Sequence, residues 1–267
     1  MSYSFYDRLK QFCESKNNRL CIGLDLDPDK LIRKSNSRLK DIELLAKDII
    51  DSTITFCPVY KPNMAFYERF GSKGYAIMER IVDYIDGRAI TIADGKRGDI
   101  GNTTIQYAKA IFDTIGFDSI TVSPYMGTDS IKPFIANKSK GAFVLCLTSN
   151  PSSIDLQYLN MNSKNYLYEN VAQLVKDLNI DGNLGLVVGA TNSKDMEGLR
   201  HKSKGLPWLI PGIGAQGGSL ENSISIGNKN DIGIVNISRA IIYAGNGSIE
   251  DIVQSAMHYT KKIRELL

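Results

Sequence analysis

Eight short apolar runs, separated by longer amphipathic segments, limit the folds open to this chain more than any other feature. The runs lie at 20–26, 59–63, 89–94, 119–123, 142–148, 184–190, 208–211 and 233–238. They are rich in Val and Ile and lack polar alternation, the pattern of parallel strands covered on both faces. Between them, 42–50, 74–85, 104–115 and 166–178 carry the i, i+3, i+4 apolar spacing of half-buried helices. The same spacing closes the chain at 251–266, and a leading helix is predicted over about 3–14. Eight strand-helix units in a chain of 267 residues match a (β/α)₈ barrel, which typically takes about 250. An open doubly wound sheet is the alternative, but eight regularly spaced units favour closure. No Pro/Gly/Ser-rich linker, low-complexity tract or repeat divides the sequence. The reading is therefore α/β: a single TIM-barrel domain over 1–267 with an N-terminal covering helix.

Composition narrows the class of function. The chain is 43% hydrophobic and 23% charged, ordinary for a soluble protein with a real core. A net charge of +3, with no long basic run, argues against nucleic acid as a partner. Cysteines 13, 21, 57 and 146 are widely spaced without a CxxC pair. Cys21, Cys57 and Cys146 fall in apolar runs, so a reducing compartment without disulfides is expected. No signal region and no stretch of membrane-spanning length is present, which points to the cytoplasm and away from a membrane. His201 and His258 pair with no cysteine or carboxylate at ligand spacing, so no metal site is expected.

A barrel of this kind carries its active site at the C-terminal ends of the strands. Asp25, Lys61, Asn63, Asp94, Lys96 and Arg239 all fall there, together with Thr148-Ser149-Asn150 and Gln216. The densest cluster is Asp94-Gly-Lys96-Arg-Gly-Asp99, directly after the apolar run 89–93. Alternating carboxylates and ammonium groups at a strand mouth hold one another ionised. Lys61 ends another short apolar stretch and can join them. A structural ion-pair network is the competing reading of this segment.

The loop 211–218 contains G-x-G-x-x-G at Gly212, Gly214 and Gly217. A dinucleotide fingerprint belongs in a first βαβ unit with an acidic residue ending the next strand. This loop comes late, and Asp231 precedes its strand. Phosphate binding suits it better, because glycines let backbone N–H groups approach an anion, and the loops after strands seven and eight are the usual phosphate site of such barrels. Gly214, Gly217 and Gly218 are the candidates, with Arg239 as a permanently charged clamp.

Asp94-x-Lys96-x-x-Asp99 resembles the D-x-K-x-x-D motif of the orotidine monophosphate decarboxylase superfamily. The segment 94–104 is similar to orotidine 5′-phosphate decarboxylases of the second sequence type. Gly23-Leu-Asp25, Tyr60-Lys-Pro-Asn63, Ser123-Pro-Tyr-Met-Gly127, Leu147-Thr-Ser-Asn150, Val187-Val-Gly-Ala-Thr191, 211–218 and Ser238-Arg-Ala240 fall in order, so the resemblance covers nearly the whole chain. It implies loss of CO₂ from orotidine 5′-phosphate to give uridine 5′-phosphate, the last step of pyrimidine synthesis, with no metal or organic cofactor. It implies that Lys96 stabilises and protonates the carbanion at pyrimidine carbon 6, that Asp94 faces the substrate carboxylate, and that Lys61 holds Asp94. It implies a homodimer in which Asp99, with Ile100 and Thr103 beside it, reaches the partner's site. Asp25 is then expected at a ribose hydroxyl, Ser149 at the pyrimidine edge, Gln216 between base and phosphate, and Arg239 on the phosphate.

Two alternatives stay open at this point. One is a metal-dependent sugar-phosphate aldolase or decarboxylase of the same superfamily, with Mg²⁺ at the carboxylates. Lys61-Pro-Asn63 and Thr148-Ser-Asn150 count against it. The other is a non-catalytic nucleotide-binding barrel, which has no need of the full Lys61/Asp94/Lys96/Asp99 set. The chain reads as a complete monofunctional protein, although a piece of a fusion with the preceding enzyme of the pathway, orotate phosphoribosyltransferase, would read the same way.

Overall fold

The computed structural model describes residues 3–32, 36–161, 165–214 and 217–267. Eight parallel strands close into a barrel: β1 (Leu20–Gly23), β2 (Val59–Lys61), β3 (Ile90–Arg97), β4 (Ser119–Val122), β5 (Gly141–Leu147), β6 (Leu184–Val188), β7 (Trp208–Pro211) and β8 (Gly233–Ile237). Each strand pairs with its sequence neighbours, and β8 returns to β1 through Leu20↔Val235. The predicted strands and the closure are therefore both present.

The outer ring contains α2 (Arg38–Thr53), α3 (Ser72–Ile85), α4 (Gly101–Lys109), α5 (Leu167–Leu178), α6 (Ser193–Lys202), α7 (Leu220–Gly227) and α8 (Ile249–Leu266). Their apolar faces pack on the strands' outward residues in one large core that includes Ile49, Ile81, Val144, Trp208 and Ile252. The predicted helix 104–115 differs in detail. It begins three residues earlier, and its α-helical part stops at Lys109 before a π-helical turn, Ala110–Thr114.

The N-terminal helix α1 (Phe5–Ser15) starts at a capping box in which Ser4 and Asp7 exchange side-chain and backbone hydrogen bonds. Its i, i+4, i+8 stripe, Phe5, Leu9 and Cys13, is fully buried against Val59, Ile90, Phe143 and Leu209 of the barrel interior. Phe5 meets Phe143 edge-on at 5.8 Å, and a Cβ at Gly141 would overlap the Phe5 ring. Helix α1 thus plugs the N-terminal end of the barrel and leaves the opposite end as the mouth. All four cysteines are free and buried, Cys13 included.

One departure shapes the site. The sequence predicts that the third strand ends at Asp94, but β3 runs on to Arg97 through a bulge. Ala93 pairs with Ile120 and Arg97 with Val122, so three residues of β3 stand where β4 has one. Lys96 takes a left-handed backbone conformation there, with φ +47°, a conformation that costs a non-glycine residue about 1 kcal/mol or more. Gly95 fits because a Cβ would lie 2.6 Å from the Met64 sulfur.

Candidate active site

The bulge turns Asp94 and Lys96 into a cavity of about 500 Å³ at the C-terminal mouth. Lys61, the last residue of β2, places its Nζ 2.6 Å from Asp94 Oδ2, and Lys96 Nζ lies 2.5 Å from Oδ1. Thr121 donates to the same Oδ1 at 3.0 Å. Backbone bonds fix the carboxylate's base, since Asp94 N–H donates to Pro62 and Met64 N–H donates to Asp94. The side chains of Lys61 and Asp94 are 4% and 12% exposed, whereas Lys96 is 50% exposed and faces the cavity.

Burial alone would raise the Asp94 pKa, but Lys61 and Lys96 outweigh it and hold the carboxyl well below the usual range. Burial would likewise push the Lys61 ammonium down, but the Asp94 and Asp25 carboxylates hold it above the ordinary lysine range. The cluster is a buried anion between two ammonium groups, one buried at Lys61 and one half exposed at Lys96. Arg97 takes no part in it: it turns to Glu68, in an ion pair, and lies over the Tyr107 ring.

Asp25 lies in the loop after β1 and lines the same cavity. Its Oδ1 is buried and finds no partner among the described residues, which leaves it able to accept from a ligand hydroxyl. Arg239 opens the short helix Arg239–Ile242 after β8, lines the cavity, and pairs with no carboxylate among the described residues. The adjoining loop after β7 turns back on itself, Gly218 N–H donating to Gly212 and Gly217 N–H to Gly214. Gly214 and Gly217 both have φ +78°, which glycine adopts without strain. Gln216 lies outside the described residues. Ser149 lines the cavity beside Thr148 and Asn150.

Asp99 stands apart from this cluster. Its Oδ1 accepts the N–H of Ile100, its carbonyl accepts the Thr104 hydroxyl, and no ion pair among the described residues joins it to Lys61 or Lys96 in the same chain. Ile100 and Thr103 are exposed. Sequence reasoning passed over Thr121, whose part depends on the bulge, and Gln157. The Gln157 amide accepts from Thr148 N–H at 2.8 Å and donates to Thr148 Oγ1 at 2.7 Å, pinning the strand-five loop at the cavity's edge. Ser238 Oγ is a second buried group in the cavity without a partner among the described residues. No group of three or more His, Cys, Asp or Glu side chains among the described residues is placed to hold a metal ion.

Comparison with known proteins assigns the family. The model of the orotidine 5′-phosphate decarboxylase / HUMPS family matches residues 18–250. The chain belongs to that family. An orotidine 5′-phosphate decarboxylase from Dehalococcoides mccartyi (strain CBDB1) is 44% identical over 268 aligned positions, covering 98% of this chain and 97% of that protein. The structure of Leishmania donovani OMP decarboxylase superposes with a TM-score of 0.86 at 34% identity, covering 98% of each chain. Leishmania donovani UMP synthase superposes at 0.88 and 35% identity over 99% of this chain and 57% of that longer one. As an orotidine 5′-phosphate decarboxylase family member, the chain is an enzyme of the carboxy-lyase class.

Proposed function

We propose that this chain converts orotidine 5′-phosphate to uridine 5′-phosphate and CO₂ without a cofactor, in the last step of pyrimidine nucleotide synthesis. The observation that carries the reading is the Asp94 carboxylate clamped between Lys61 and Lys96 in the mouth of the cavity, with the Lys96 ammonium half free. Family membership and near-full-length relatives named for this reaction favour it over a sugar-phosphate enzyme or a passive nucleotide binder.

Departure of CO₂ leaves an electron pair on pyrimidine carbon 6. The Lys96 ammonium stabilises that pair as it forms and then donates a proton to the carbon. Because the Lys61–Asp94 pair and the Lys96 contact are in place before substrate arrives, little reorganisation is needed during the reaction, and such preorganised electrostatics is usually the largest catalytic contribution. Asp94 faces the substrate carboxylate, and Lys61 keeps Asp94 in place. The Asp25 oxygen that has no partner among the described residues suits a ribose hydroxyl, and Ser149 the pyrimidine edge. Arg239 and the backbone of Gly214, Gly217 and Gly218 grip the phosphate, with Gln216 bridging base and phosphate.

The active unit is proposed to be a homodimer that shares its sites. Exposed apolar side chains follow Asp99 in the chain, Ile100 at 55% and Ile105 and Tyr107 on α4, and Tyr125 is 83% exposed in the loop after β4. Exposed apolar side chains near a carboxylate that makes no ion pair among the described residues suit a second copy, whose Lys96 that Asp99 then approaches.

The deciding experiment follows loss of orotidylate absorbance by the purified chain with excess chelator. Turnover is expected unchanged by the chelator. Absence of turnover with uridine 5′-phosphate still bound would favour a binder, and restoration by Mg²⁺ would favour the sugar-phosphate type.

A further inference from the structure

On the β4 side, Thr121 alone stands opposite the bulge that carries the reactive groups. Between the pairs Ala93↔Ile120 and Arg97↔Val122, β3 contributes Asp94, Gly95 and Lys96, and β4 contributes Thr121. Its hydroxyl oxygen accepts the Lys96 backbone N–H at 3.0 Å, and its O–H donates to Asp94 Oδ1 at 3.0 Å. The residue is almost fully buried, yet its side chain reaches the cavity wall.

We propose that Thr121 is a positioning residue for decarboxylation: one hydroxyl holds both the Asp94 carboxylate and the backbone of Lys96, and so sets where the Lys96 ammonium points. The proposal rests on the roles given above to Asp94 and Lys96.

The argument is geometric. A carboxylate turns easily about its last torsion, which has broad minima. Lys61 secures Oδ2 only. On the other oxygen, Lys96 is a poor anchor, because its flexible stem is half exposed and its ammonium is the group to be aimed. Thr121 is short, β-branched and set in a barrel strand, so its χ1 is stiff and its hydroxyl is a fixed point. A hydroxyl has one proton to give, and here it goes to Asp94 while a lone pair takes the Lys96 N–H. That second bond also supports the left-handed backbone at Lys96. Nothing else among the described residues bonds to both halves of the cluster in this way.

The test compares Thr121→Val, of nearly the same shape but without the hydroxyl, with Thr121→Ser, which keeps it. Lys96→Ala is the control. The readings are kcat and KM for orotidylate, affinity for uridine 5′-phosphate, and Tm. Thr121→Val is expected to lower kcat about ten- to a hundredfold, the scale of one hydrogen bond to a charged group, with KM and product affinity within about threefold. Thr121→Ser is expected to keep kcat within about threefold of the parent. Parental kcat in the valine variant overturns the proposal, as does a serine variant that falls as far as valine. A loss confined to KM and product affinity also overturns it. Should the valine variant not fold, Thr121→Cys, a far weaker donor, is judged by the same kcat criterion. If Lys96→Ala turns over normally, the charge-cluster reading itself is lost. If Lys96→Ala is dead and Thr121→Val is normal, only the role of Thr121 is lost.

Discussion

The Tyr243 phenol donates to the backbone carbonyl of Asp25 at 3.1 Å and accepts the N–H of Asp27 at 2.7 Å. Tyr243 also caps the short helix that begins at Arg239. The proposed phosphate clamp and ribose ligand are therefore joined by one side chain, and Tyr67 holds the same loop from its other side through the Leu24 carbonyl. Tyr243→Phe removes both hydrogen bonds without opening a cavity. It is expected to raise KM about three- to thirtyfold, with a smaller change in kcat, since each such bond contributes about 1 kcal/mol net. Steady-state kinetics checks this, and an unchanged KM would show that the loop holds its shape unaided.

Lys96→Ala removes the proposed proton donor but leaves the Lys61–Asp94 pair. Turnover is expected to drop by at least about a thousandfold, while uridine 5′-phosphate still binds within about tenfold of the parent. Isothermal titration and a long-timescale absorbance assay measure the two. Retained decarboxylation ends the role given to this ammonium.

Arg239→Ala is expected to lower kcat/KM by about 2–4 kcal/mol, the scale of a charged contact in a closed site. Binding energy from a remote phosphate can be used in the chemical step, so part of the loss should fall on kcat. On phosphate-free orotidine the same substitution should make little further difference. Equal penalties on both substrates would place the phosphate elsewhere.

The sign of the pH dependence follows from the two shifts. Asp94 is held below the ordinary carboxylate pKa, so its stabilisation is fully present above about pH 4 and is lost as pH falls towards its folded value. Lys61 is held above the ordinary lysine pKa, so its share is fully present below about pH 10 and is lost as pH rises through the folded value. Asp94→Asn strands a buried ammonium and should cost about 3–5 kcal/mol near neutrality. The gap in Tm between parent and variant should be flat between those limits and narrow steadily below about pH 4. A constant gap down to strong acid would contradict the assignment.

Asp99→Ala and Lys96→Ala should each be nearly inactive alone. Mixed and allowed to exchange subunits, they should recover up to about a quarter of parental activity. Half of randomly assembled dimers are hybrids, and each hybrid has one intact site out of two. No recovery, with exchange confirmed by mass, would mean that Asp99 serves its own chain.

Much of the barrel is legible because strands buried on both faces must be apolar throughout, and all eight runs stand out on that ground. Helices α6 and α7 do not, since Ser193–Lys202 offers only Met196 and Leu199 as buried apolar anchors and Leu220–Gly227 is short and serine-bearing. In the site, Lys61, Asp94 and Lys96 are readable because charges directly after apolar runs fall on a barrel rim. Thr121 is not, because a threonine in a β-strand is unremarkable until the three-against-one pairing is known. The turn at Pro151–Asp155 and the Gln157 clamp are hidden for a similar reason: their partners come from the strand-five loop and not from any local period. The part proposed for Asp99 in a partner's site rests on the family resemblance, because no feature of one chain's own sequence pattern signals a contact with a second copy.

Helix α1 fills the far end of the barrel with Phe5, Leu9 and Cys13. On the proposed reading, CO₂ released beside Asp94 faces that filled end and leaves past the nucleotide, through the opening by which the substrate came in. Escape of CO₂ and dissociation of the product thus share one passage, and whatever narrows that passage also prolongs the time in which the bond can re-form.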